Sequence, residues 1–424
     1  MAMDLLALLL FIGTIILAFV RKVNVGIVAL AVGTACVRIF GVTDKQLIGA
    51  ISSSMFCTLV GITLLFAVIK STGALDLLAK KIVAATGHRV WLLPIAIYVA
   101  GFIVAGVGPG AVPALAIIPA LGVTTALQVG YNPLMLALIG ECGLIAGRMT
   151  GVTPEAAIIT NAAAGAGISN VMPTILACQT LATFFFSIII YVFFKGYTVR
   201  EPIHSFTQVK IPPFNKTQLI SLSGIILMLI LMIGFHVNIG LAAFVSAAVL
   251  VLCGVAQDGE CLKNVPWGTI IMVLGVGALL SVVDKVGGIK VMSNAISSVM
   301  NSTTAVPLMG ISAGLLSLVS SALGVVYPTM MPMCPDIAAQ VGGVEPVALM
   351  AAFGVGGSLA GISPMSTGGA LILAAMGTNI ENFNSTKQTK VFAELLMLAG
   401  IALLIIAVVS GLTFNGIAEI VYHP

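Results

Sequence analysis

The 424-residue chain is 59% hydrophobic and only 8% charged. A soluble domain carries roughly 25% charged residues, so a soluble surface cannot be built from this composition. The formal net charge of +4 gives no nucleic-acid signal, because the basic residues sit in loops beside apolar runs, where they set orientation in a bilayer.

The apolar runs at 5–20, 219–235 and 392–412 each hold about the 20 residues that cross a hydrocarbon core as a helix. They are continuous rather than alternating, which argues for helices and against a barrel. In chain order, spans are predicted at 3–20, 25–40 and 50–70. An amphipathic helix follows at 73–86, then two apolar stretches over 90–127 joined by the tip Gly106-Val107-Gly108-Pro109-Gly110. A span interrupted at Gly151–Pro154 and a last span at 171–194 complete the first half. The first run begins with Asp4 and is followed by Arg21 and Lys22, the reverse of a cleaved signal. After the linker 195–216 the pattern returns, with spans at 217–234, 238–254 and 268–284 and an amphipathic helix at 287–300. A pair of stretches over 304–341 turns around Ser320 to Pro328, a span is interrupted at Gly361–Pro364, and a last span covers 389–411.

Residue matches support the repetition. Val23-Asn24-Val25-Gly26 returns as Val237-Asn238-Ile239-Gly240, 214 residues on, and Val68 to Ile82 returns at the same offset as Val282 to Ile296. Gly147-x-x-x-Gly151-Val152-Thr153-Pro154 returns as Gly357-x-x-x-Gly361-Ile362-Ser363-Pro364, 210 residues on. If each tip turns a re-entrant hairpin, each half crosses five times and the second half is inverted. Thirteen Lys and Arg residues, among them Arg21, Lys70, Lys81, Lys210 and Lys387, then share one side, against Arg38, Lys45, Lys285 and Lys290 on the other. This bias places the first side in the cytoplasm and both termini outside it, in the periplasm of a bacterial inner membrane. The expected architecture is an all-α polytopic membrane protein of two inverted-topology repeats. Each repeat has five transmembrane helices, one of them broken, and one re-entrant hairpin. The repeats cover 1–194 (scaffold spans 1–86, hairpin and broken helix 87–194) and 217–424 (scaffold spans 217–300, hairpin and broken helix 301–411).

Gly and Pro inside a span free backbone amides and carbonyls, which lipid tolerates only where they line a cavity or are buried in protein. Paired interruptions at matching positions of inverted repeats point to a transporter's solute site. Half-helix N-termini favour an anion there, and freed carbonyls can hold a cation. The bland reading of Gly-x-x-x-Gly is close helix packing. The hydroxyls at Thr153, Ser363, Ser366 and Thr367, and Ser320, Ser321, Gly324 and Tyr327 at the second tip, favour the site. Arg148 is the one basic residue inside a span, and an intramembrane charge is a functional candidate by default. Its guanidinium can hold a carboxylate bidentately, or it can pair with Glu141 or Glu155. Glu155 is a candidate for a coupling proton or cation, or for a helix-terminal role. The seven cysteines form no CxxC pair and read as packing residues.

The strings GVGPGAVPALAIIP (106–119), Gly73-Ala74-Leu75-Asp76 and GISPMSTGG (361–369) resemble the malonate/C4-dicarboxylate carrier family of the ion transporter superfamily, related to divalent-anion/sodium symporters. The resemblance runs over nearly the whole chain. It implies a homodimeric elevator carrier of small carboxylates, coupled to sodium or protons and without a resident cofactor. By position it implies substrate contacts from Gly108, Pro109, Gly110, Thr150, Gly151, Thr153, Ser321, Gly324, Tyr327, Ser363, Ser366 and Thr367, beside Arg148. Gly151, Thr153, Gly361 and Ser363 are the candidates for a sodium site. The alternative is an inorganic-anion carrier or a cation/proton antiporter of the same superfamily. An enzyme is disfavoured. Gly310-Ile311-Ser312-Ala313-Gly314 lies in an apolar hairpin arm, and His88, His204, His236 and His423 all fall in loops or the tail.

Overall fold

A computed structural model of the protein describes residues 2–87, 89–199, 211–318, 322–381 and 383–423. Ser320 and Ser321 of the second tip, His88, and the linker stretch from Arg200 to Lys210, with His204, lie outside the described residues. Every regular element among the described residues is helical. The first half contains α1 (Ala2–Arg21), α2 (Val25–Phe40), α3 (Asp44–Gly49), α4 (Ser53–Ser71), α5 (Ala74–Ala84), α6 (Leu93–Gly106), α7 (Ala111–Leu115), α8 (Ile118–Val129), α9 (Pro133–Gly147), α10 (Pro154–Gly165) and α11 (Met172–Phe193). The second contains α12 (Lys216–Leu229), α13 (Ile239–Leu252), α14 (Asp258–Lys263), α15 (Trp267–Lys285), α16 (Gly288–Ser297), α17 (Ala305–Ser317), α18 (Tyr327–Met330), α19 (Cys334–Val341), α20 (Pro346–Leu359), α21 (Thr367–Asn379), α22 (Ser385–Val409) and α23 (Asn415–Val421).

Among the described residues eight helical stretches are long and apolar enough to cross a membrane, and five shorter apolar helices accompany them. Burial sorts them. In the most apolar 18 residues of each stretch, only 22% are buried in Lys216–Gly234 and 28% in Met3–Arg21, against 89% in Pro346–Asn379. Leu5, Leu9, Ile226, Ile233, Leu404 and Leu412 stand exposed on the outer helices, where acyl chains take the place of water. The broken helices form the interior, which is where backbone freed from helical bonding is tolerated.

The residues that repeat do the same work twice. Asn24 and Asn238 are N-caps, each accepting the amide two residues on (Gly26 and Gly240) at 2.9 Å. Gly73 and Gly287 open α5 and α16 at φ of 70° and 85°, in the left-handed region that favours glycine. The packing follows the same 214-residue offset. α2 lies on α15 and α4 on α13, so the second span of each half packs on the third span of the other. At the crossings a Cβ on Gly26 would overlap the backbone of Ile271 and Met272, and one on Gly275 the backbone of Gly26. A Cβ on Gly240 would overlap Cys57 and Thr58, and one on Gly61 would overlap Gly240. Only hydrogen side chains allow these helix approaches.

The remaining segments pack on each other. α6 lies along α9, α17 along α20, α11 against α20, and α8 against α21. Contacts tie the end of the first hairpin to its start and the end of the second to α16, the helix before it. The Tyr131 hydroxyl donates to Val90 carbonyl at 3.3 Å, and Gln340 Nε2 donates to Asn294 Oδ1 at 2.7 Å. The hairpin arms are less regular than two plain helices. Pro113 and Pro119 attend a break between α7 and α8, while Pro328, Pro332 and Pro335 divide the second returning arm into α18, a 3-10 turn at Met331–Met333 and α19.

Candidate functional site

The two interrupted helices meet at their breaks. In the first half α9 stops at Gly147, the chain turns, and Pro154 restarts the helix at a position where its missing N–H costs nothing. Thr153 holds the two ends together. Its hydroxyl donates to the Arg148 carbonyl at 2.5 Å and accepts the Ala156 amide at 3.2 Å. In the second half α20 runs into a 3-10 turn at Ala360–Ile362, and Ser363 Oγ accepts the Met365 amide at 3.3 Å before α21 begins.

Arg148 caps the C-terminal end of α9, where the helix dipole favours a cation. Its Nη2 donates to Ser358 Oγ at 2.7 Å and to the Tyr327 hydroxyl at 3.0 Å. The two hydroxyls lie 2.6 Å apart, and Ser358 Oγ donates to the Gly354 carbonyl at 2.7 Å. The guanidinium is therefore clamped to the second break and second hairpin, and its Nε has no hydrogen-bond partner. Both Glu141 and Glu155 are buried, at 2% and 1% exposure. Neither pairs with Arg148; the ion pairs formed between described residues are Arg38–Asp44 and Lys390–Glu394. Glu155 instead accepts the Ala111 amide at 2.7 Å, tying the start of α10 to the first hairpin tip.

A cavity of about 250 Å³ opens at this junction. Glu141 and Arg148 line it from α9, and five hydroxyl side chains join them: Thr269, Ser317, Ser358, Ser366 and Thr367. Ala111, Val112 and Leu115 of α7 and Ala322 and Leu323 of the second tip supply the apolar wall. One cationic fork, one carboxylate and several hydroxyls around one cavity can orient a small polar anion.

The sequence candidates divide. Arg148, Ser366 and Thr367 line the cavity, Gly361 borders it, and Tyr327 stands behind the wall bonded to Arg148. The first tip lies elsewhere. Gly108 (φ 135°) packs on the Phe66 ring, and Gly110 (φ 70°) packs on the Glu155 carboxylate, where a Cβ would overlap it; Pro109 is buried between them. Thr150 Oγ1 donates to the Gly106 carbonyl at 2.5 Å, so it joins tip to break. Gly151 is exposed, while Thr153 and Ser363 are buried in their turns outside the cavity wall. Gly324 rests on Met272, and Ser321 lies outside the described residues. Among the described residues no group of three or more His, Cys, Asp or Glu side chains could hold a metal ion. The cavity residues that sequence reasoning passed over are Ser358, Ser317 and Thr269. Ser358 carried a signal: it stands 210 residues after Arg148, the offset of the two breaks. Ser312 of the Gly-x-Ser-x-Gly string donates to the Met309 carbonyl within α17 at 2.9 Å and forms no nucleophile elbow.

Comparison with solved structures finds the same fold in transporters. The Alcanivorax borkumensis YdaH transporter, whose topology is described as unusual, superposes with a TM-score of 0.60 at 16% identity over 86% of each chain. Neisseria gonorrhoeae MtrF, described as illuminating a class of antimetabolite efflux pumps, gives a TM-score of 0.58 at 14% identity, covering 89% of this chain and 84% of MtrF. At these identities the likeness is one of fold. No curated protein matches the chain in sequence. A family model described as CitMHS, citrate transporter, matches residues 15–356, a span that includes both hairpins, the first break, Arg148 and Tyr327 and ends two residues before Ser358. The chain is a multi-pass membrane transporter, not an enzyme, and belongs to the CitMHS citrate transporter family.

Proposed function

We propose that this chain is a secondary active transporter of small di- and tricarboxylates, with citrate, malonate and C4-dicarboxylates as the first compounds to test. The observation that carries the reading is Arg148, buried at the junction of both halves and held in place by Ser358 and Tyr327. A guanidinium whose orientation is fixed before the solute arrives presents its free edge to a carboxylate without further ordering cost. The cavity, about 250 Å³, falls just below the range of roughly 300–1,000 Å³ for ordinary ligand sites, which suits a solute of few atoms. Hydroxyls from α15, α17, α20 and α21 suit the remaining oxygens.

Transport in this reading is elevator-type, driven by a sodium or proton gradient, in a homodimer. The hairpins and broken helices (87–194 and 301–411) move as a body against the scaffold spans. The tip glycines support it: Gly108 meets Phe66 of α4 and Gly324 meets Met272 of α15, so each tip touches the scaffold through a residue without a side chain. The test is uptake of radiolabelled citrate, malonate and succinate into proteoliposomes under imposed sodium or proton gradients. Accumulation of one of them is the expected result. Accumulation of an inorganic anion such as phosphate or sulfate, with no carboxylate accepted, would replace this reading with the inorganic-anion carrier.

A further inference from the structure

Glu141 and Glu155 are both buried without a cationic partner, and their settings differ. Glu155 holds the Ala111 amide with Oε1, its Oε2 has no partner, and it does not line the cavity. Glu141 lies in the wall of the central cavity, and its Oε2 has no hydrogen-bond partner. Its carboxylate lies against Gly368 at the start of α21, where any Cβ would overlap it. The facing elements α7, α17, α20 and α21 carry no ionisable side chain, and α15 faces the cavity with Thr269. Of the other neighbours of α9, α8 has none, α6 has Tyr98, bonded to Thr183, and α11 has Cys178 and Tyr191. Tyr327 of α18 is bonded to Arg148 and Ser358. On α9 itself Cys142 adjoins Glu141, and among the described residues Arg148 is the only other charged residue of the cavity wall.

A carboxylate solute entering this space meets one positive and one negative group. With Glu141 ionised, the charge of Arg148 is already offset and the solute is repelled, and like charges a few ångströms apart in a water-poor site cost several kcal/mol. With Glu141 protonated, the whole charge of Arg148 is available. Proton and anion then bind better together than apart, and the linkage is reciprocal. We propose that Glu141 is the group that takes up the proton travelling with the anion, an inference that rests on the carboxylate reading above. The carboxylate accepts one proton from the side of loading and returns it on the side of release. A proton needs no ligand set, whereas a sodium ion would share the cavity with the Arg148 guanidinium.

The test is calorimetric titration of the purified full-length transporter with citrate, malonate and succinate, each in two buffers of different ionisation heat. Wild type is expected to take up about one proton per anion bound. Glu141→Gln should bind the anion without proton uptake, and Glu141→Asp should retain it. Binding by wild type with no proton uptake overturns the proposal, and so does sodium-dependent binding without it. Proton uptake that persists in Glu141→Gln overturns it as well. In all three cases the carboxylate reading stands. Wild type that binds none of the three anions overturns the carboxylate reading, and this inference falls with it. If Glu141→Gln does not fold, Glu141→Asp decides through the pH dependence of proton uptake, whose midpoint should shift with the new carboxyl; an unchanged midpoint overturns the proposal.

Discussion

Arg148 donates to the hydroxyl of Ser358 across 2.7 Å, and Ser358 occupies in the second half the position that Arg148 occupies in the first, 210 residues on. The two breaks are thus joined at equivalent points by unlike residues. One half supplies the charge and the other supplies its anchor. Ser358→Ala removes the anchor and leaves the charge. A hydrogen bond to a charged group contributes about 1.5–3 kcal/mol, so the apparent affinity for the solute should fall by roughly ten-fold or more. Tyr327→Phe should act in the same direction, and the two effects should not add, because both hydroxyls serve one Nη2. Uptake kinetics on the single and double variants measure this directly.

Replacing Arg148 itself separates its two sequence readings. Arg148→Lys should lower affinity strongly while the protein still folds, because an ammonium cannot offer the planar fork. If Arg148 served only to neutralise Glu141, Arg148→Met combined with Glu141→Gln would restore transport. The absence of an ion pair between them predicts no restoration. Uptake by the double variant at wild-type rate would end the ligand role.

The signals that survived in the sequence are those written in local chemistry. The breaks were visible because Gly and Pro cannot continue a helix, and Arg148 because a charge inside a span stands alone. The Asn24 and Asn238 caps and the Gly73 and Gly287 openings were visible as repeats, since the backbone needs those residue types at those points. The cavity wall was less visible. Thr269 and Ser317 are ordinary hydroxyls near helix ends, and only contacts between α7, α9, α15, α17 and α21 make them neighbours of Arg148. The first tip shows the reverse. Its glycines look like a binding loop, yet Phe66 and Glu155 fill the space beside Gly108 and Gly110, and Ala111 and Val112 form the wall instead.

The scaffold crossings give a prediction about stability. Gly26→Ala and Gly275→Ala each place a methyl against backbone that cannot yield, an overpacking cost of about 1–3 kcal/mol. The two share one contact, so their double variant should lose less than the sum of the singles. Gly26→Ala with Gly240→Ala, at separate crossings, should lose the full sum. Thermal unfolding in detergent, followed by retention of the folded peak on gel filtration, measures the series.

Loop contacts group the segments by the end of the bundle they share. Asn170 Nδ2 donates to the His423 carbonyl at 2.9 Å, and Asn415 Oδ1 accepts the Glu345 amide at 2.9 Å, so three distant segments share one end of the bundle. Gln218 Nε2 donates to the Thr72 carbonyl at 3.2 Å, and Asn24 Nδ2 donates to the Gly268 carbonyl at 2.7 Å; the charge bias predicts that these segments face the cytoplasm. An impermeant thiol reagent added outside intact cells should label His423→Cys and His236→Cys and spare Lys210→Cys. Labelling of Lys210→Cys from outside would reverse the layout.

The proposed movement of the hairpin parts past the scaffold is testable at the contact between Gly324 and Met272. A Cβ at Gly324 would meet the Met272 side chain, so Gly324→Cys with Met272→Cys places two thiols across the interface between the second tip and α15. A control pair lies within the scaffold, where Asn24 of the α2 cap and Gly268 of α15 are in contact. Both pairs are made in a background whose seven unpaired native cysteines are replaced. Oxidation of the tip–scaffold pair should stop uptake, and reduction should restore it, because a body that carries the solute across must slide along α15. Oxidation of Asn24→Cys with Gly268→Cys should leave uptake intact, since both residues belong to the part proposed to stay still. If the tip–scaffold crosslink formed fully and uptake continued, the tip would not leave Met272 during transport. Local gates around the Arg148 cavity would then have to open in alternation without movement of the hairpins.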